Sequence, residues 1–313
     1  MENRLIVSSS PHLRSSESID KIMRDVVIAL LPATLAGIYY FRFGAIKVIL
    51  LAVLAAVITE AAVQKMRKRP VTINDWSAVV TGLLLAFNIP ASAPWWLPIV
   101  GSIFAVAIVK QAFGGLGHNF MNPALGARAF LLASWPIEMT NWVTPGVDAT
   151  STATPLALVK GMEGAATNLP SILDLFVGRI GGSLGETSAI ALIIGGIYLI
   201  YRGVITPRIP VIFVATVAIF TFIFGGFSLS FMLYQVLAGG LLLGAIYMAT
   251  DYASSPVTPK GQIIFAIGCG LLTGIIRLYG GYPEGVSYSI LLMNVVAPLL
   301  DKYTSPRVFG EVK

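Results

Sequence analysis

The sequence predicts an all-α integral membrane protein with about ten transmembrane helices. Of the 313 residues, 56% are hydrophobic and only 12% are charged, whereas soluble proteins carry about a quarter charged residues. The apolar residues form long runs separated by glycine, proline and charge, and a helix needs about 20 apolar residues to cross a bilayer. Basic residues are also distributed unevenly between alternate connections, as is typical of membrane proteins.

Ten apolar segments are predicted to cross the membrane. They lie near residues 24–42, 46–64, 76–90, 95–112, 122–136, 188–202, 209–226, 230–249, 261–279 and 286–300. The third and fifth segments are short, and the fifth is interrupted by Gly126 and Arg128. Short or broken spans are typical of helices that form a binding site inside the membrane domain, rather than of helices that only surround it.

The basic residues predict that both termini lie in the cytoplasm. With the amino terminus inside, fifteen Lys and Arg residues fall on the cytoplasmic side and five outside, while Arg128 falls within a span. Cytoplasmic loops collect Lys and Arg, which also accounts for the net charge of +6. No interleaving of basic and aromatic residues indicates a nucleic-acid partner. The five outer residues are Arg42, Lys47, Lys160, Arg179 and Arg277.

The two halves of the chain resemble each other. "TGLLLAFNIPASAPWW" (81–96) matches "GGLLLGAIYMATDYASSP" (239–256), and the match shifts the helices by five. Because five is odd, the sequence predicts two inverted five-helix repeats, with binding sites near the seam between them. The predicted regions are a cytoplasmic tail (1–23), a first repeat (24–136), an extracytoplasmic loop (137–187), a second repeat (188–302) and a cytoplasmic tail (303–313).

The stretch "GGLGHNFMNPALGARAF" (114–130) is the first candidate site. Asn122-Pro123 predicts a turn followed by a helix that begins at Pro123, and amides at such a helix start suit an anion or a polar ring edge. A tight loop between two spans is the alternative. Arg128 favours a functional role, because an arginine at the bilayer centre costs about 2.5–3.5 kcal/mol on the insertion scale and usually faces a ligand or partner.

The stretch "YMATDYASSPVTPKGQ" (247–262) is the second candidate. Asp251 follows a span, and five hydroxyl side chains lie between Thr250 and Thr258. This composition suits a cytoplasm-facing cofactor or ion pocket and equally an ordinary polar loop. Glu60 and Asp251 lie near span ends, so no carboxylate is placed mid-membrane.

A single cysteine limits the metal and disulfide chemistry of this chain. Cys269 is the single cysteine, so the chain cannot hold an iron–sulfur cluster, which needs four thiolates, or form an internal disulfide. We expect Cys269 to be a small buried apolar residue. No nucleotide-binding glycine motif, catalytic residue or metal site is predicted.

The polar run Asp148–Thr154, "DATSTAT", lies in the predicted extracytoplasmic loop. Its pattern, Asp-x-x-Ser/Thr-x-Ala-Thr, resembles the acceptor that bacterial flavin transferases recognise. These enzymes attach FMN through its phosphate to the last threonine, which is Thr154 here, and Asp148, Ser151 and Ala153 complete the motif. Thr152 departs from the usual glycine. We expect Thr154 to lie in an exposed loop.

Further motifs resemble the RnfD/NqrB family of ion-pumping redox complexes. They are "GGLGHNFMNPALGARAF", "LGETSA" (184–189), "MATDYASSP" and "YPEGVSYSILLMNVVAPLLD" (282–301). They occur in the same order as in the family and span nearly the whole chain. The short amino-terminal tail resembles that of the RnfD branch rather than the longer NqrB extension.

This resemblance implies a urea-transporter-like fold and a flavoprotein subunit of a ferredoxin:NAD⁺ oxidoreductase that moves Na⁺ or H⁺. It implies covalent FMN at Thr154 and a second, noncovalent riboflavin in the membrane. We place the second pocket at the seam near Asn122 and Asp251, with Arg128 as a further candidate. The implied location is the bacterial inner membrane. The implied partners are the RnfA, RnfB, RnfC, RnfE and RnfG subunits, the flavin transferase and the lipid bilayer.

Two other functions fit parts of the sequence. A small-solute channel or carrier suits an inverted repeat, because fold does not fix function, but such a protein gives no reason for a flavin acceptor motif. An NqrB-like subunit of a quinone-reducing Na⁺ pump shares the family features. Flavin absorbance distinguishes the flavoprotein from a channel or carrier. A quinone site or the identity of neighbouring subunits distinguishes the NqrB-like subunit from the RnfD-like one.

Overall fold

The computed structural model describes residues 17–143, 154–161 and 169–306, and these residues form helices joined by turns. The helices are α1 Ile19–Met66, α2 Ser77–Phe87, α3 Trp96–Ile103, α4 Pro123–Ser134, α5 Pro136–Thr140, α6 Pro155–Val159, α7 Ile172–Val177, α8 Ala189–Tyr201, α9 Arg208–Phe224, α10 Leu229–Leu237, α11 Leu241–Leu243, α12 Pro259–Tyr279 and α13 Val286–Thr304. Two of these helices continue as π-helix, α3 over Phe104–Gln111 and α11 over Gly244–Met248. The predicted all-helical class is confirmed.

Helix α1 is two antiparallel helices joined at a sharp turn. Arg42 has non-helical backbone angles, with φ 48°, a conformation that costs energy for a residue with a side chain. Ile22, from the first half, lines the same cavity as Lys110, and Lys110 bonds to Glu60 from the second half. The start of the first half and the end of the second half therefore lie close together. The break that the sequence predicts between the segments 24–42 and 46–64 is found at Arg42.

Among the residues that the structure describes, length and composition make up to three segments candidates for crossing a membrane. Ile19–Met66 and Pro259–Tyr279 are each long and apolar enough. Leu229–Leu237 and Leu241–Met248 form a further candidate as a pair bent by 60°, so the predicted single span 230–249 is broken at its middle. Shorter apolar helices surround them. The number of crossings and the inverted repeat stay predictions.

The outer surface of the helical domain is apolar. Leu35, Phe43 and Ile58 each expose more than half of their side-chain area, which would be unfavourable over so wide a surface in water. Beneath this surface α1 packs on α2, α3 and α8, while α12 packs on α9 and α13. An apolar exterior around self-satisfied helices is the arrangement that lipid requires, and it identifies a membrane protein.

The short helices α2 and α4 lie inside the domain rather than at its surface. Leu85 and Phe87 of α2 and Leu125 and Leu131 of α4 are almost completely buried. Polar residues follow or precede these helices, so the ends of α2 and α4 bring side-chain amides and charges into the interior. This placement agrees with the expectation that short spans belong to a binding region.

Candidate functional site

Asn122 is the residue that starts helix α4. Its Oδ1 accepts hydrogen bonds from the backbone N–H groups of Ala124 and Leu125, at 3.0 and 3.2 Å, and Pro123 occupies the first helical position. Asn is a preferred N-cap residue and Pro a preferred first residue, so the predicted helix start is confirmed. Two of the backbone amides that the sequence suggested as anion donors are therefore already hydrogen-bonded to Asn122.

The two polar stretches meet at one cavity. Asn119 and Asn122 from the first stretch and Asp251 from the second line it, together with Tyr247. Asn119 Nδ2 donates to Asp251 Oδ2 at 3.4 Å, and Ser254 Oγ donates to the same oxygen at 2.9 Å. Burial raises the pKa of Asp251, and these hydrogen bonds act against the rise. The sequence-based grouping of Asn122 with Asp251 therefore has a geometric basis, and we name this space the Asp251 cavity.

A buried ion pair lies beside the Asp251 cavity. Lys110 lines the cavity and donates from Nζ to Glu60 Oε2 at 2.8 Å and to Ser77 Oγ at 2.6 Å. Gln111 Nε2 donates to the other oxygen of Glu60 at 2.8 Å. Both charges are buried, and breaking a buried pair is strongly unfavourable. Glu60 is thus fully partnered within the chain, although the sequence placed it near a helix end.

Arg128 points to a different part of the interior. Its guanidinium donates to Asn88 Oδ1 at 2.6 Å and pairs with Glu284, while Glu186 lies 3.9 Å away. These partners come from the end of α2, the turn Leu184–Glu186 and the residues before α13. Among the described residues that line the Asp251 cavity, Arg128 does not appear. The partner that the sequence could not identify is therefore a pair of carboxylates of the same chain.

Asn88 connects these two regions. Its amide accepts from Arg128 through Oδ1, and its Nδ2 lies 3.7 Å from Met248 Sδ. The backbone oxygen of Met248 in turn accepts from Asn122 Nδ2 at 3.3 Å. A line of polar contacts thus runs from the Asp251 cavity to Arg128, between the ends of α2, α4 and the π-helix that follows α11.

Thr154 begins the short helix α6, whose first residue is Pro155. Its Oγ1 accepts from the backbone N–H of Ala157 at 3.3 Å, as an N-cap residue does. The residue is only 3% exposed, so the expectation of an exposed loop at this position is wrong. Leu156, two positions later, packs with Leu175, Ile180 and Ala238 in a small apolar cluster. This packing holds the start of α6 against the other helices and so buries Thr154.

The other motif residues, Asp148, Ser151 and Ala153, lie outside the described residues. Sequence reasoning also missed four residues: Asn119, Lys110, Glu186 and Glu284. Three of them belong to quoted motifs, since Asn119 lies in "GGLGHNF", Glu186 in "LGETSA" and Glu284 in "YPEG", so the motifs themselves were the available signal. Lys110, near the end of the predicted span 95–112, was counted only among the fifteen cytoplasmic basic residues. Cys269 is buried, as expected.

The fold and this interior define a helical membrane protein with a polar seam, and comparison identifies its family. Residues 6–310 match the model of the NQR2, RnfD, RnfE family. The chain therefore belongs to this family.

Similar proteins cover almost the whole chain. The D subunit of the Na⁺-translocating ferredoxin:NAD⁺ oxidoreductase complex of Acetobacterium woodii is 58% identical over 100% of this chain and 97% of its own length. The D subunit of the proton-translocating ferredoxin:NAD⁺ oxidoreductase complex of Clostridium ljungdahlii is 48% identical over 99% and 97%. The D subunit of the ion-translocating oxidoreductase complex of Halorhodospira halophila is 36% identical over 97% and 95%.

Proposed function

We propose that this chain is the membrane flavoprotein subunit of an ion-translocating ferredoxin:NAD⁺ oxidoreductase complex. The observation that carries the proposal is the 58% identity to the D subunit of such a complex along the full chain. The Acetobacterium and Clostridium relatives are named for different ions, Na⁺ and H⁺, so the proposal covers both. The chain works with partner subunits RnfA, RnfB, RnfC, RnfE and RnfG, which supply the centres that its single cysteine cannot.

Within this function, Thr154 carries FMN through a phosphodiester bond. The order of residues in "DATSTAT" supports this assignment, with Asp148, Ser151 and Ala153 read by the flavin transferase. A tether of this kind keeps the group at high effective concentration beside the protein. Because the Thr154 side chain is buried beside α6, the transferase must reach the hydroxyl while this segment is separated from the helices.

The residues near Thr154 fit an anionic flavin nucleotide. Lys160, at the end of α6, and Arg277, of α12, line one cavity together with apolar side chains. Arg277 Nε is buried and makes no hydrogen bond in the described part of the chain. When bound, the flavin supplies one- and two-electron transfer, while the protein supplies position and electrostatics.

We place the polar ring edge of the second flavin, a noncovalent riboflavin, at the Asp251 cavity, whose volume of about 90 Å³ holds part of such a ligand rather than the whole. The amides of Asn119 and Asn122 and the carboxyl of Asp251 offer donors and acceptors to a polar ring edge, and Leu84 and Leu199 supply apolar walls. Few polar groups in an apolar pocket are typical of cofactor sites. Arg128 supports the site indirectly, through Asn88 and Met248.

The chain forms two inverted five-helix repeats of urea-transporter type in the inner membrane, with both termini in the cytoplasm. The matched segments 81–96 and 239–256 support the repeat because Asn88 and Met248, one from each, are in contact. Equivalent segments of a twofold arrangement meet in this way at the axis. The excess of basic residues on one side supports the orientation.

Mass spectrometry tests the proposal directly. The complex is produced together with its flavin transferase, and the peptide that contains Thr154 is analysed for the mass of FMN. We expect FMN on this peptide and a second flavin that denaturation releases. A complex that reduces NAD⁺ with ferredoxin yet carries no flavin on this chain would contradict the flavoprotein assignment, and a chain without any flavin would favour a channel or carrier.

A further inference from the structure

The outer surface carries an apolar groove of about 510 Å³. It runs between the π-helix Phe104–Gln111, α4 and α13. Ile108, Leu292 and Val295 line it, and each of these residues is more than half exposed, so the groove opens outward, where the apolar exterior meets lipid. We name it the lipid-facing groove. Its volume lies within the roughly 300–1,000 Å³ of ligand pockets.

Aromatic rings set the shape of the lipid-facing groove. Phe104 and Phe130 stack with ring centres 4.1 Å apart, and Phe113 meets Phe120 edge-on at 4.7 Å; all four line the groove. The nine positions from Phe104 to Phe113 span at most about 14 Å of helix, close to the roughly 15 Å depth of hydrocarbon in one leaflet. An acyl chain fits this space, whereas a helix about 10 Å wide would need roughly 1,100 Å³ over the same length.

Two arginines lie at the Phe113 end of the groove. Arg67 donates to the backbone oxygen of Ala112 at 3.4 Å, and Arg69 donates to that of Gly114 at 2.9 Å. Because Ala112 and Gly114 flank Phe113 in the chain, both guanidinium groups lie beside the entrance. Positive charge is therefore placed where an acyl chain in the groove would join its headgroup.

These arginines belong to the basic segment Lys65–Arg69, which carries four exposed positive side chains. None of the four forms an ion pair within the described ranges. Glu60, the nearest acidic residue before the segment, is buried and bound to Lys110. Clusters of four or more Lys and Arg beside a membrane helix are typical of binding to anionic lipid, so an anionic headgroup complements this charge.

We propose that the lipid-facing groove and the basic segment together bind one anionic phospholipid. An acyl chain lies along the aromatic rings from Phe113 to Phe104, and the phosphate lies against the basic segment. A guanidinium has five N–H donors, and Arg69 uses one of its nitrogens for Gly114, so donors remain for phosphate oxygens. A phospholipid without net charge fits the groove equally well but gains less from the basic segment, so the site prefers an anionic headgroup.

The headgroup test uses the full chain, purified in detergent and mixed with equal amounts of phosphatidylglycerol and phosphatidylcholine. Native mass spectrometry counts the lipids that each chain retains. Lys65→Gln combined with Lys68→Gln removes two charges of the basic segment. Lys21→Gln combined with Lys260→Gln is the matched control, because both lysines are exposed and neither lines the groove.

The acyl-chain test fills the groove. Ala129 lines it, so Ala129→Leu places a larger side chain in the space of the lipid. Ala133→Leu is the control, because Ala133 lies one turn later on α4, is exposed and does not line the groove. Both substitutions add the same apolar volume and introduce a good helix former.

We expect the parent chain to retain phosphatidylglycerol in preference to phosphatidylcholine. The Lys65 and Lys68 double variant should lower this preference several-fold, whereas Ala129→Leu should lower retention of both lipids several-fold. Both controls should match the parent chain. A parent chain without headgroup preference, or test variants equal to their controls, would overturn the inference. If Ala129→Leu does not fold, the lysine variant decides alone.

A transmembrane helix of a partner subunit is the competing occupant. In the assembled complex, a photoreactive benzophenone side chain in place of Ile108 reports which molecule lies in the groove, because Ile108 stands at its open edge. Labelling of phospholipid supports the site, and labelling of another subunit overturns it. Thr154→Val should retain the same lipid as the parent chain, so this inference and the flavin assignment fail separately.

Discussion

Replacing Arg128 by leucine tests whether this residue serves the fold or the flavin. The sequence favoured the flavin, because an arginine inside a span is costly without a buried acidic partner. The structure supplies that partner, since Arg128 pairs with Glu284, lies 3.9 Å from Glu186 and donates to Asn88. We therefore now expect Arg128→Leu to destabilise the domain first and to affect flavin content through that loss.

The size of the effect follows from what the substitution leaves behind. Removing one member of a buried ion pair costs about 3–5 kcal/mol because the other charge stays buried without a partner. The Glu284 side chain is 18% exposed, so water reaches it in part and the lower end of this range applies. For a chain of this size a loss of about 3 kcal/mol corresponds to a fall of roughly 5 °C in Tm.

Thermal unfolding of the purified chain in detergent, followed by tryptophan fluorescence, measures this change. Arg128→Lys keeps a positive charge and should lose much less stability, although lysine cannot reproduce the forked geometry of the guanidinium. Arg128→Leu combined with Glu284→Gln removes the stranded charge and should recover part of the loss. An unfolding curve like that of the parent chain, together with loss of bound flavin, would refute the structural role and restore the original hypothesis.

Three other outcomes are expected. Thr154→Val should abolish FMN on the loop peptide and lower the free energy of unfolding by about 1 kcal/mol, the usual cost of losing an N-cap. Thr154→Ser should keep the cap. FMN remaining on the valine variant would contradict the assignment. Asn122→Ala should lower Tm through the lost cap and the lost hydrogen bond to the Met248 oxygen. Asn122→Ser keeps a cap acceptor and should lose less, and equal curves for the parent chain and Asn122→Ala would show that the cap is unimportant. Cys269 should react with a maleimide only after unfolding because it is buried; rapid labelling of the native chain would argue against the packing around α12.

The local features of this protein were readable from the sequence because they depend on neighbouring residues. Asn122-Pro123 predicts the start of α4 from the capping preference of one residue and the fixed φ of the next, and the structure has that start. The break in the span 230–249 was missed, although Gly239 and Gly240 stand at it. An apolar run shows that a segment is buried, but the run does not show where the helix bends.

The sequence by itself determined the helical membrane class, the family motifs and the candidate residues Asn122, Asp251 and Thr154, because composition, periodicity and short patterns carry that information. Only the tertiary structure decided which charges are paired. Arg128 and Glu284 are 156 positions apart in the chain, and the 50 positions between Glu60 and Lys110 likewise hide their pairing from any local pattern. Packing brings such residues together, and burial then makes a partner obligatory, because an unpaired charge cannot be left inside a dry interior.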